Sequence, residues 1–184
     1  IPGASIFGTF HVYINGTAFH MEDMEVKLTI TDGEGNTWIN VVPVNVIGPR
    51  IIVSDYEGDI FPGSVTNLIL NLENQGSKTV SNYSVELLPF DNLISIVSSA
   101  SSISELPVGE NIYMDNIELS FSSNIINGMV LPLEMNLTSS DGFNRVEVIH
   151  VAVGEVRETD PLGPDLYGYY IYDSEDTDYD LAPD

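Results

Sequence analysis

Apolar and polar positions alternate along much of this chain. The alternation is sharpest over residues 68–74, where Leu68, Leu70 and Leu72 lie on one side and Asn71 and Glu73 on the other. A period of two predicts a strand with one face buried and one wet. Pro62-Gly63 ahead of it and Asn74-Gln75-Gly76 behind it are turn signals, and residues 54–60 read as an acidic loop.

The same pattern places strands on both sides of this stretch. Residues 6–14 set Phe10, Val12 and Ile14 against His11 and Tyr13, and Asn15-Gly16 follows as a turn. Met24, Val26, Leu28 and Ile30 alternate with Glu25, Lys27, Thr29 and Thr31. The loop over residues 32–36 closes a hairpin with a return strand over residues 37–47, where Pro43 marks an edge position or a bulge. Three strands before residue 48 are too few to close a sandwich. Further strands are predicted over residues 79–89, 92–97, 111–121, 128–139 and 143–153, with a Ser-rich connection at 98–104 and a turn at 106–110. Strands recurring between turn signals, with almost no helical periodicity, indicate an all-β sandwich.

An internal repeat divides the chain. MEVKLTITDG from Met24 aligns with LEMNLTSSDG from Leu133, and residues 10–14 correspond to residues 117–121. The expected organisation is therefore the C-terminal half of one unit in residues 1–48, a complete unit in 49–155, and an acidic, aromatic linker or start of a further domain in 156–184. A half-sandwich exposes an apolar face and strand edges, so something has to complete it.

Composition narrows the partners. At 43% hydrophobic over 184 residues, the chain can bury a core without disulfides, and it has no Cys. Its 28 acids against 5 Lys and Arg, a net charge of −23, argue against nucleic acid and favour solubility and cations. No apolar run approaches the roughly 18 residues of a membrane span, so membrane insertion is not expected. The first residue is Ile1 rather than Met, with no basic and apolar leader after it, and the expectation is a cut from a longer polypeptide.

Two segments carry a resemblance. GDIFPGSVTNLILNLENQGSKTVSNYSVEL, together with the later ELPVGE turn and a last strand ending in VAVGE, resembles the immunoglobulin-like modules often called CARDB or NEW3-like. Such modules occur in bacterial and archaeal surface proteins, and this chain has Ser64 where they usually have Glu. The tail DPLGPDLYGYYIYDSEDTDY resembles a segment that follows such modules in large secreted proteins, including ones with gingipain-type cysteine peptidase domains. The resemblance implies tandem immunoglobulin-like β-sandwiches, the first present only as its C-terminal half, and an extracellular or cell-surface setting.

Candidate chemistry is confined to carboxylates. Asp55, Glu57 and Asp59 alternate in a Gly-containing stretch, and Asp173, Glu175, Asp176, Asp178 and Asp180 crowd the tail. Alternating carboxylates in a loop can converge on a hard cation, with carbonyl and water oxygens completing the shell, which makes calcium the candidate cofactor. Asp32, Glu34 and Asn36 also alternate, but a hairpin turn accounts for them. His11, His20 and His150 lack zinc-motif spacing, no G-x-S-x-G occurs, and without Cys this segment cannot itself be a thiol peptidase. Gly33-Glu34-Gly35 lacks the further Gly and helix of a dinucleotide site. Three glycosylation sequons begin at Asn15, Asn82 and Asn136, and the aromatic run over residues 167–172 reads as a strand.

These readings converge on a non-catalytic structural or adhesion module of a larger extracellular bacterial protein. Its expected partners are neighbouring immunoglobulin-like domains or identical subunits. The alternatives are a filament or surface-layer subunit joined by strand complementation, and an accessory region of a secreted gingipain-like peptidase.

Overall fold

The computed structural model describes residues 8–15, 18, 20–21, 23–99, 102–165, 167–177 and 179–181. Ten strands follow one another: β1 (Asp23–Thr31), β2 (Thr37–Asn45), β3 (Ile51–Glu57), β4 (Val65–Asn74), β5 (Val80–Pro89), β6 (Ile94–Ser98), β7 (Ser102–Leu106), β8 (Asn111–Phe121), β9 (Met129–Thr138) and β10 (Asn144–Val153). The described residues contain no α-helix, only a 3-10 turn at Tyr179–Leu181.

β3 to β10 build a β-sandwich from two antiparallel sheets, ordered β10-β9-β5-β7 and β3-β4-β8-β6. The alternation of β4 is what makes this possible: Leu68, Leu70 and Leu72 point inward and are fully buried. Across the core they join Leu133, Met135 and Leu137 of β9. Each such side chain contributes about 1.5–3 kcal/mol by leaving water. β8 keeps its apolar side inward despite a change of phase. Leu68 pairs with Ile117 but Leu70 pairs with Met114, so Asp115 and Asn116 bulge, with Asn116 at φ 62°. That extra residue moves the inward set from Met114 to Ile117, Leu119 and Phe121.

β1 and β2 form a separate two-stranded sheet, and among the described residues no second sheet covers it. Ile30, Trp38 and Val42, all on its apolar face, are 54%, 55% and 45% exposed. Pro43 fits because each strand of a two-stranded sheet has a free edge.

Four expectations change. Residues 8–14 of the predicted strand 6–14 are not a strand, and Phe10, Val12 and Tyr13 stand exposed; residues 6 and 7 lie outside the described residues. An isolated alternating segment has no neighbour to satisfy its backbone, so it does not become a strand. The acidic residues 54–57 belong to β3 and not to a loop, with a bulge between Val53 and Asp55 where Ser54 Oγ donates to the Asn71 carbonyl at 3.1 Å. The Ser-rich connection contains β7, paired with β5 through Val80 and Leu106 and through Tyr83 and Ile103. The aromatic run makes only one bridge, Leu162 to Ile171, rather than a strand.

The repeat survives with a shifted register. Adding 107 to the first hairpin's numbers gives the second: Thr31 and Thr37, the last pair before the turn, become Thr138 and Asn144. Gly35 becomes Gly142, and both have positive φ, 88° and 95°. Asp32 N donates to Asn36 O at 3.0 Å, and Ser139 N donates to Phe143 O at 3.0 Å. The literal match of the two DG pairs is 109 apart, so the structure slips the alignment by two residues. A slip of two leaves every side chain on its original face.

Candidate functional site

The predicted acidic sites are placed very differently. Asp55 and Glu57 lie on β3, both exposed, and Asp59 follows in the connection to β4. Alternate positions on a strand are about 6.8 Å apart along its axis, so carboxylates there spread where a loop would gather them. Asp55 Oδ1 accepts from Tyr56 N at 2.8 Å. Glu57, Gly58, Asp59, Asn67 and Ile69 line an open cavity of about 400 Å³. Ser64 serves the backbone: its hydroxyl donates to Phe61 O at 2.7 Å and accepts from Phe61 N at 3.2 Å, which holds the Pro62-Gly63 turn. Thr66 Oγ1 donates to Asp59 O at 2.7 Å.

In the tail, Asp173 N donates to Asp176 Oδ2 at 2.6 Å and Glu175 N to Asp173 Oδ1 at 2.7 Å. These carboxylates close their own turn. Asp178 lies outside the described residues, and Asp180 sits in the final 3-10 turn. Among the described residues, no group of three or more His, Asp or Glu is placed to hold a metal ion.

Asp32 and Asp141 organise the two equivalent hairpin turns. Asp32 accepts from the Asn36 side-chain amide at 2.8 Å and from the amides of Asn36 and Glu34 at 2.8 and 3.0 Å. The Asn36 side chain and these amides hold its carboxyl below the usual carboxylate range. Asp141 is held low chiefly by the Ser139 hydroxyl, which donates to it. Beside it Tyr83 stacks on Phe143, centroids 4.9 Å apart, and burial pushes its phenol up with the Asp141 charge adding.

The densest constellation is one that single-sequence reasoning did not single out: the junction between the hairpin and the sandwich. Gln75 N donates to Arg50 O at 2.8 Å, and Ser77 N donates to Gly48 O at 2.9 Å. Asn74, fully buried, holds the same point. Its Oδ1 accepts from Gly76 N at 3.0 Å and Arg50 N at 3.3 Å, while its Nδ2 donates to Lys78 O at 2.8 Å and Leu106 O at 3.0 Å. Only glycine fits at 76, because a Cβ there would stand 2.3 Å from Arg50 N. A cavity of about 340 Å³ lies alongside, lined by His20, Arg50, Phe143 and Arg145, and a neighbouring one of about 180 Å³ by Lys78 and Asp141. His20 Nδ1 accepts from Gly48 N at 3.3 Å, and Arg145 Nε pairs with Glu147 at 2.9 Å. Three of the chain's five Lys and Arg thus gather at one end of a protein of net charge −23. Their scarcity was the available signal; their spacing of dozens of residues hid it.

At the opposite end the tail is anchored by Asp160. It is 6% exposed, accepts from Arg157 N at 2.6 Å, and receives Asn127 Nδ2 at 3.2 Å on both oxygens. Thr177 N donates to Thr159 O at 2.8 Å, folding the acidic turn back onto this anchor. Burial pushes the Tyr170 phenol up, with Tyr172 adding to the effect.

No protein-family model and no curated protein matches this sequence.

Proposed function

We propose that this chain is a non-catalytic structural module of a larger extracellular or cell-surface bacterial protein, in which sandwich units follow one another as spacers or adhesion domains. The observation that carries this reading is the hairpin that recurs 107 residues on with the same loop length, the same positive-φ glycine and the same closing hydrogen bonds. Recurrence of a supersecondary unit at fixed spacing is the mark of an array. The connections support it as well. The chain enters the sandwich beside Gly76 and leaves it beyond Gly154, whose amide bonds Ile60 O at 2.8 Å, at the opposite end. Units joined end to end in this way transmit tension through paired strands, and the backbone bonds at Gly48 and Arg50 pin the connecting segment to the sandwich. The resemblance of residues 50–154 to CARDB-type modules agrees with this reading.

Single-molecule stretching between the two ends tests it. The expected trace has one reversible unfolding event of about 350 Å, the contour of a unit of this size. A chain that lengthens without a discrete event would overturn a spacer role. Calcium belongs to this reading only as a ligand of the exposed acidic turns. Melting the protein with calcium and with chelator checks it, and an unchanged Tm removes it.

A further inference from the structure

We propose that the β1–β2 hairpin, with residues 10–14, is a docking surface for a segment of the β3 to β7 kind, supplied by a preceding unit of the same polypeptide and completing a sandwich like that of residues 49–155. This deepens the modular reading and rests on it. Position by position, at a spacing of 107, the two hairpins carry equivalent residues in different surroundings. Leu131, Leu133, Met135 and Leu137 of β9 are 0–4% exposed because β4 and β8 lie over them. Their equivalents Met24, Val26, Leu28 and Ile30 carry the same kind of side chain on the same face, yet Met24, Val26 and Leu28 are only half-buried, Ile30 is 54% exposed, and among the described residues no second sheet lies over them. The open edge has an equivalent too. β9 pairs on its second side with β5, Pro89 to Ser84 against Leu133 to Thr138. Among the described residues, the matching edge of β1, Val26 to Thr31, has no strand against it.

A third piece identifies the occupant. Residues Phe10, Val12 and Ile14 correspond to Ile117, Leu119 and Phe121 of β8, which are 0–3% exposed. In the first unit they stand 73%, 59% and 38% exposed. The chain thus carries the strand-like sequence of one member of the missing sheet, unpaired among the described residues. An incoming segment equivalent to residues 49–107 would flank residues 10–14, cover the hairpin face and pair with the edge of β1. A second copy of this chain fits less well. The hairpin face measures roughly 30 by 10 Å, about 300 Å², where a stable interface needs about 800 Å² per partner. Two copies at −23 each also repel.

Trp38 is the chain's single tryptophan and lies on this face, so its emission reports the surface alone. In the 184-residue chain, Trp38 is expected to emit as a solvent-exposed indole and to be quenched readily by acrylamide, at every protein concentration. In the same polypeptide extended N-terminally by the preceding unit, quenching is expected to fall by about half, because the equivalent Arg145 side chain keeps 27% exposure at the rim. The amides of Val26 to Thr31 are expected to gain protection from hydrogen exchange. Leu28→Glu in the extended protein is expected to restore quenching while the sandwich of residues 49–155 melts as before. Undiminished quenching in the extended protein would overturn the proposal. A concentration-dependent blue shift of the 184-residue chain would overturn it in favour of a second copy. Either result leaves the stretching experiment, and with it the spacer reading, to stand or fall separately.

Discussion

The two hairpins of this protein, β1–β2 and β9–β10, are nearly the same object in opposite surroundings. Both turn through five residues, both use a left-handed glycine at the fourth, and in both the first strand sets an apolar row against a more polar one. In the second hairpin Leu137 is fully buried; in the first its equivalent Ile30 is 54% exposed. A hairpin's shape is thus written in its turn and its alternation. Its stability depends on what lies against it, since an isolated two-stranded sheet is marginal in water.

The largest expected difference between them is the cost of truncation. Leu137→Ala is expected to destabilise the sandwich by about 2–5 kcal/mol, because it opens a cavity in a closed core. Ile30→Ala is expected to cost less than about 1 kcal/mol, because its surface is already half in water. Denaturant midpoints for the two variants check this, and equal costs would mean that the first hairpin is covered after all.

Next in size is the joint between them. Asn74→Ala removes four hydrogen bonds at a fully buried site and leaves the Arg50 and Gly76 amides without that acceptor. A loss of about 2–3 kcal/mol is expected, with faster proteolysis within residues 46–50 as the clasp loosens. Unchanged cleavage there would show that the backbone bonds of residues 48–50 suffice.

The smallest effect is one of pH. Asp32 and Asp141 both have folded values below the usual 3.8. A depressed carboxyl stabilises the folded turn fully above its unfolded value, and that contribution is lost as pH falls through the folded one. Below about pH 4 both turns should therefore loosen. Amide exchange is expected to show it at residues 32–36 first, where among the described residues no second sheet holds the strands. At residues 139–143 the sandwich masks it. Simultaneous loosening would argue that the turn, and not the covering sheet, sets hairpin stability.

The strands were legible where alternation was strong. β1, β4, β9 and β10 could be read from Leu, Val, Ile and Met at every second position. β3 was not, because Ser54, Asp55 and Glu57 look like a loop until a bulge and pairing with β4 satisfy their backbone. β7 was hidden in serines for the same reason: pairing with β5 overrides weak local preference. Residues 8–14 failed in the other direction, with a strand pattern and no partner. The acidic positions were visible in the sequence, but whether they gather was not, because that depends on whether the backbone carrying them is extended or turned.

The all-β class, the recurring hairpin, its turns and the facing of side chains outside the bulges were legible in the amino-acid sequence alone. These depend on contacts between residues a few positions apart and on a period of two. Which of two like hairpins is buried, which strand-like segment pairs, and that Arg50, Lys78 and Arg145 line neighbouring cavities near Gly76 followed only from the folded arrangement. Those outcomes require segments distant in the chain to lie against one another, and no local pattern records where a distant partner is.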